Sequence, residues 1–379
     1  MDRKTEGALL LYSIMKTDKI RAVSFEQLST ADWDDVIQQS IRHTVTPLLY
    51  QRLKTLSPGT NIPDSVEQKL RKIYHHSLLK NMQLYHELSK ILRILQDEGI
   101  SVIILKGAAL AELVYQNIAL RPMGDVDLLV KGKDIWGIDK VLLQLGYESD
   151  IISLSERHAQ WIHHITYKNK FLHIEAHPKI YELPNLNPWV NASLAKIAST
   201  NTLILGCEDF LLHLCLHVDR HLHEDRLTKL IWWCDITEVL KHYQKEINWD
   251  YVIQIVKKHQ VEGAIHRILR MINKWFDVRV PSNVLSQLKD NGITISINDM
   301  LNPAKESTSE QKKVPTQKQE LDFFLHHISS ELPKIPSIPD KIYHVFRAIF
   351  PCREFMIHRY PVTRPSCVYF YYFSHISKV

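Results

Sequence analysis

Residues 125–130 read Asp-Val-Asp-Leu-Leu-Val, two carboxylates at the head of an otherwise apolar segment. In a β-strand, residues i and i+2 point to the same face. Asp125 and Asp127 therefore project side by side at the start of a strand whose remainder, Leu128 to Val130, is core. Two adjacent carboxylates repel each other unless a cation sits between them. An Asp-x-Asp pair is common by itself. At the mouth of a buried strand, where surface carboxylates are least expected, it constrains both the fold and the chemistry.

The flanking sequence sets the architecture. SVIIL (101–105) is short, apolar and β-branched, and reads as a buried strand. Lys106-Gly107 follow, then the helix-forming AALAELVYQ. After the Asp-x-Asp strand, DIWGIDKVLLQLG reads as a helix with Asp134 near its start and Gly146 at its end. Between Tyr147 and Tyr181, HITYKN and KFLHIEAHPKI read as strand and hairpin. The order strand, helix, strand, helix, strand, strand predicts an α+β core with a mixed sheet over residues 99–183.

Helical regions are expected on both sides. Residues 1–98 carry ADWDDVIQQSIRHTVTPLLYQRL, with Ser29 or Thr30 as cap, and a longer amphipathic pattern from 64 that Gly99 stops. From about Pro184 the chain turns helical again, and CEDFLLHLCLHV, KLIWWCDITEVLKHY and WDYVIQIVKKH are amphipathic segments within 184–288. Residues 289–319 are polar and read as a linker. The aromatic segment 320–379 is expected to pack back on the body, since so many exposed aromatics invite aggregation.

Charge and cysteines exclude several classes. Lys plus Arg is 47 and Asp plus Glu is 42, a net charge of 47 − 42 = +5. That permits an anionic ligand such as a nucleotide without arguing for dedicated nucleic-acid binding. The five cysteines show no C-x-x-C spacing, so no zinc knuckle or disulfide framework is predicted, and a reducing, cytoplasmic setting is expected. MDRKTEGALLLYSIMK lacks the apolar run and small-residue cleavage site of a signal peptide. No stretch of roughly 18 apolar residues predicts a membrane span.

The carboxylates suit Mg²⁺ or Mn²⁺, which binds through one or two carboxylates plus substrate phosphates. A third carboxylate on a neighbouring strand completes a two-metal site that clamps the attacking and leaving oxygens of an in-line displacement. Glu175, in HIEAH, is the candidate. Arg121 either holds a triphosphate oxygen or neutralises nearby carboxylates. His213, His217 and His221 fall at i, i+4 and i+8 on one helix face, with His223, Glu224, Asp225 and Asp235 beyond. His pairs at i, i+4 can bind zinc, which raises a metal-hydrolase reading, but no His-Glu-x-x-His accompanies them. Lining a polar groove between helices, or touching a substrate, suits them better. Asp235, within apolar WWCDITEVL, is expected to be buried and paired, because a lone buried carboxylate is costly. Trp232 and Trp233 read as core.

The order Lys106-Gly107, helix, Arg121, Asp125-Val126-Asp127, Leu145-Gly146-Tyr147 and Glu175-Ala176-His177 resembles the bacterial family of uncharacterised nucleotidyltransferases. That family is a branch of the DNA polymerase beta-type nucleotidyltransferase superfamily. EDFLLHLCLHVDRH, LIWWCDITEVL, INWDYV and RAIFPCREFMIHRYP extend the resemblance over most of residues 64–280 and part of the tail. It implies a polymerase beta-type core, Mg²⁺ (or Mn²⁺), and a nucleoside triphosphate such as ATP as donor. It names no acceptor, which could be a small molecule, a sugar, a peptide or a protein.

Two departures stand out. The superfamily carries Gly-Ser after its first strand, where the loop meets the phosphates; this chain has Lys106-Gly107-Ala108. A lysine there supplies a point charge beside a helix N-terminus, so Lys106 and the Gly107 amide become the phosphate contacts. Close relatives carry Asp-x-His where this chain has Glu175-Ala176-His177. The resulting expectation is a metal-dependent nucleotidyltransferase with Asp125, Asp127 and Glu175 as metal ligands. The alternatives are a catalytically inactive nucleotide- or partner-binding member of the same fold, and a His/Asp metal phosphohydrolase.

Overall fold

A computed structural model describes residues 28–55, 62–149, 164–224, 228–288 and 337–350, together with 356, 371 and 372. The polar linker expected at 289–319, most of the segment 320–379, and Asp225 lie outside the described residues.

Helix α1 (Thr30–Arg42) begins at a capping box. The Ser29 hydroxyl accepts from the Asp32 amide while the Asp32 carboxylate accepts from the Ser29 amide at 2.8 Å. After α2 (Thr46–Thr55) comes α3 (Asp64–Asp97), whose buried positions Val66, Leu70, Leu84, Leu88, Ile91 and Leu95 follow helical spacing. Gly99 ends it in the left-handed conformation, φ 69°, and the Ile100 amide returns to the Leu95 carbonyl at 2.8 Å.

Strand β1 (Val102–Leu105) is buried throughout. Helix α4 (Lys106–Ala109) leaves it directly and continues as a π-helical turn over Leu110–Val114. Strand β2 (Asp125–Val130) follows, then a 3₁₀ turn at Gly132–Asp134 and α5 (Ile135–Gln144). Strands β3 (Glu148–Ser149), β4 (Ile165–Lys168) and β5 (His173–His177) form an antiparallel ladder in which Thr166 faces Glu175 and Ile165 faces Ala176. With β6 (Ser193–Ile197) and β7 (Thr200–Ile204) they complete a seven-stranded mixed sheet in the order β3-β4-β5-β2-β1-β7-β6. Helices α6 (Cys207–Glu224), α7 (Leu230–His242), α8 (Trp249–Lys258), α9 (Glu262–Trp275) and α10 (Ser282–Gln287) follow, and α11 (Ile338–Ile349) comes last.

The chain forms two compact units. One gathers residues 1–89, 104–126 and 182–306, and its core includes Phe210, Leu211, Trp233, Ile236, Ile268 and Leu269. The other gathers 90–103, 127–181 and 307–379, with Leu128, Ile138, Leu142, Tyr167 and Ile174 buried and the Tyr167 hydroxyl bonded to Asp139 at 2.9 Å.

The strand–helix alternation expected over 99–183 is present, and mixed α and β structure with flanking helices agrees with a nucleotidyltransferase fold. One expectation is corrected. The chain does not turn helical at about Pro184; residues 193–204 form the antiparallel β6–β7 hairpin, and helix resumes at Cys207. Its turn residues Ala198 and Ser199 take φ of 52° and 60°, the left-handed pair of a type I′ turn. The Glu112 carboxylate accepts from the Ala198 amide at 2.9 Å and helps hold that turn. Among the described residues no helix is long and apolar enough to cross a membrane.

Candidate active site

Strand alternation aims the side chains at the head of β2. Val126 enters the core, while Asp125 is exposed and Asp127 is only 6% exposed. The carboxylate of Asp127 is therefore largely shielded from water, which requires a partner. That partner comes from β5: His177 Nε2 lies 2.9 Å from Asp127 Oδ1.

Glu175 and His177 are two residues apart on β5 and share a face, with Ala176 buried on the other. The Glu175 Oε2 lies 3.5 Å from His177 Nε2. One step beyond the Ile165–Ala176 pair, the ladder carries His164 to the same place, with Nδ1 3.8 Å from Glu175 Oε2 and ring centroids of His164 and His177 5.3 Å apart. Burial pushes the Glu175 carboxyl up and the Asp127 charge adds to that. The His177 hydrogen bond and the charges of His164 and His177 outweigh both, and Glu175 sits below the usual carboxylate range. The ligand atoms of His164, Glu175 and His177 all lie within 4.8 Å of one another, a set able to hold a metal ion.

The structure thus brings Glu175 to Asp127, and β2 carries Asp125 two residues before it. The donors fit a divalent cation: carboxylate oxygens of the kind Mg²⁺ and Mn²⁺ take, on a partly shielded floor. His164 and His177 were given no role from the sequence. The signal for His177 was present in HIEAH, where strand alternation puts it beside Glu175. His164 becomes visible only once the β4–β5 register is known.

In the unit holding the first turn of α4, Arg121 is committed to another carboxylate. Its Nη2 donates to Asp235 Oδ2 at 2.9 Å, and the Tyr115 hydroxyl donates to Asp235 Oδ1 at 2.9 Å. Burial works against the guanidinium's charge, but Asp235, with smaller help from Tyr115 and Asp125, holds its pKa above the ordinary value. This is the pairing expected for Asp235; its partner is the residue considered for the triphosphate. The same contact explains Gly107, since a Cβ there would lie 2.5 Å from Arg121 Nη1. Lys106, beside it, adopts a left-handed φ of 44°, a conformation that costs a non-glycine residue about 1 kcal/mol.

His213, His217 and His221 do share one face of α6, but their surroundings are not those of a metal site. His213 Nδ1 lies 3.6 Å from Glu182 Oε2, and Arg220 Nε lies 3.1 Å from Glu182 Oε1. His217 and His221 pack on Trp232, with centroids 5.0 and 4.8 Å away. Burial, then the nearby Lys106 charge, drives the His217 pKa well below its usual value, so the ring is neutral. Among the described residues these histidines do not form a metal-type group. Trp233 is core, as expected; Trp232 is the half-buried platform for the two rings.

No curated protein matches the chain. Residues 29–277 match the family described as uncharacterised nucleotidyltransferase. That span is more than half of the sequence and contains every residue of the carboxylate–imidazole group, and on it the chain belongs to the uncharacterised nucleotidyltransferase family.

Proposed function

We propose that the protein transfers a nucleoside monophosphate from a nucleoside triphosphate, ATP among them, to an acceptor hydroxyl, phosphate or similar nucleophile, in a reaction dependent on Mg²⁺ or Mn²⁺. The observation that carries this reading is a carboxylate, Asp127, kept almost fully out of water at the head of a core strand and within electrostatic reach of Glu175. Family membership supports the reaction class.

Asp125, Asp127 and Glu175 are the residues that would hold the metal. When bound, it supplies positive charge to the triphosphate and to the oxygens entering and leaving phosphorus. The acceptor oxygen bonds to the α-phosphorus as the bond to the departing pyrophosphate breaks. Glu175, kept ionised by His177 and His164, takes the acceptor's proton and returns it to solvent. Lys106 and the Gly107 amide contact the phosphates, and the Lys106 ammonium, started from a left-handed backbone, is the cationic member of that contact. Arg121 contributes through Asp235, by fixing the segment between α4 and β2, rather than as a free phosphate ligand.

The test is pyrophosphate release from a mixture of nucleoside triphosphates and candidate acceptors, with and without Mg²⁺ or Mn²⁺. Asp127→Asn keeps an acceptor for His177 and removes the charge. Release should fall on the order of 10³-fold or more, about 4 kcal/mol of barrier. Equal release by wild type and variant sinks the assignment.

A further inference from the structure

The group on β2, on β5 and at the residue before β4 contains more nitrogen than a magnesium site needs. Its potential donors are Glu175 Oε2, His177 Nε2 and His164 Nδ1, with Asp127 Oδ1 2.9 Å from His177 Nε2. The separations are 3.5 Å between His177 and Glu175 and 3.8 Å between His164 and Glu175, and the three ligand atoms all lie within 4.8 Å of one another. Ligands about 2.0–2.1 Å from a four-coordinate ion stand roughly 3.3 Å from one another. The separations of 3.5 and 3.8 Å from Glu175 to the two imidazoles lie near that value, and all three ligand atoms lie within 4.8 Å of one another, so His164, Glu175 and His177 can converge on one ion and leave its fourth position to water.

The burial is graded in a way that suits a metal centre. The His177 and Asp127 side chains are 5% and 7% exposed, and the His164 and Glu175 side chains 28% and 25%. His177, with Asp127 beside it, forms a closed floor, and His164 and Glu175 form an open rim through which an ion can enter. The charge also balances: two carboxylates cancel a divalent cation, and the mutual repulsion of Asp127 and Glu175 is relieved by it. Magnesium takes oxygen ligands in octahedral geometry and keeps several waters. Imidazole nitrogens suit zinc and its first-row neighbours instead.

We propose that His164, Glu175 and His177, with Asp127 bonded to His177 beside them, form a nitrogen–oxygen centre that selects a borderline divalent metal of the zinc class over magnesium. The centre shares Glu175 with the nucleotidyl-transfer site and rests on that reading only in taking this carboxylate as a metal ligand. Asp125 and Asp127 are outside the set and remain oxygen ligands for magnesium with the nucleotide. The chain then carries two cation positions of different chemistry on neighbouring strands, one that keeps its metal and one loaded with each triphosphate.

The experiment uses the full chain, stripped of metal by a chelator and dialysed. It is titrated with Zn²⁺ and Mg²⁺ by calorimetry, and with Co²⁺ by visible absorption. Zn²⁺ should bind on the order of 100-fold more tightly than Mg²⁺. Co²⁺ should show the intense visible band of four-coordinate cobalt, removed by Zn²⁺ and untouched by excess Mg²⁺. His164→Ala, at a half-buried rim position, should weaken Zn²⁺ binding by tenfold or more and abolish the band, with the far-ultraviolet circular dichroism unchanged. Glu175→Gln should do the same. His221→Gln should change neither. A faint octahedral cobalt spectrum, equal affinity for Zn²⁺ and Mg²⁺, or a band lost in His221→Gln but kept in His164→Ala would overturn the proposal. If Mg²⁺-dependent pyrophosphate release proceeds without the cobalt band, this inference falls and the transferase reading stands. If the band appears and no triphosphate turns over, the centre stands and the transferase reading falls.

Discussion

Arg121 and Asp235 form a buried ion pair. Their side chains are 11% and 1% exposed. Removing one partner leaves the other's charge in a poorly solvated place, which costs about 3–5 kcal/mol. Asp235→Asn should therefore lower unfolding stability in urea by roughly that amount, and Asp235→Asn combined with Arg121→Met should recover part of the loss, because no uncompensated charge remains. A double variant less stable than the sum of the singles would contradict this account. The burial of Asp235 was legible in WWCDITEVL, where an acidic residue interrupts an apolar helix face. Its partner was not. Arg121 is 114 residues away, and only the packing of α7 beside the π-helical turn after Ala109 brings them together. Gly107 carried a similar ambiguity. Its amide reads from sequence as a phosphate contact, and the structure adds that the Arg121 guanidinium fills the place a side chain would take.

At the scale of the element, α6 carries and contacts ionisable groups with opposite pH behaviour. His217 is buried against Trp232 and His221, and faces the charges of Lys106, His221, His213 and Arg220. Burial first, and then those cations, depress its pKa. Below about pH 6.5 the unfolded chain takes up a proton that folded His217 refuses, so stability falls as the pH falls through that value. His217→Gln should therefore show a smaller loss of Tm than wild type between about pH 7.5 and pH 5. Parallel losses would mean that the ring is not held neutral. Glu182 does not interfere in that window. Burial raises its carboxyl, but the adjacent His213 and the charge of Arg220 prevail and bring it to about 2. Its stabilisation is complete above its ordinary value of 4.5 and is lost only as the pH falls from there toward about 2. The helices were legible because their apolar spacing is long and regular: α3 carries its pattern from Val66 to Leu95. The β6–β7 hairpin was not. Its strands are five residues each, and its type I′ turn is built from Ala198 and Ser199 rather than the Asn-Gly or Asp-Gly that marks such turns. A tertiary contact, the Glu112 carboxylate on the Ala198 amide, stands in for turn chemistry.

For the whole molecule, the proposed cation would be linked to stability as well as to chemistry. The placement of the candidate carboxylates was legible because strand alternation is a strict period of two: Asp125 and Asp127 on β2, then Glu175 on β5, follow from the sequence once the strands are assigned. His164 was hidden because it belongs to no pattern along the chain and meets the others through strand pairing. Without metal, the folded chain keeps Asp127 and Glu175 close enough for the charge of one to raise the pKa of the other. The unfolded chain separates them. A ligand that binds the folded state alone stabilises it by about 2.7 kcal/mol when present at 100 times its Kd. For a chain of 379 residues that corresponds to a Tm rise of about 3 °C. Wild-type protein should therefore melt higher in a divalent cation, and higher again when a nucleoside triphosphate is added, with the rise growing logarithmically with concentration. Monovalent salt at matched ionic strength should not reproduce it, since the response depends on binding and not on screening. Asp127→Asn relieves the repulsion in advance and removes a ligand. Its metal-free Tm should stay near that of wild type or exceed it, and its response to the cation should largely vanish. A variant that melts several degrees lower without metal would make Asp127 a structural partner of His177 alone. A variant that keeps the full cation response would put the metal elsewhere on the chain.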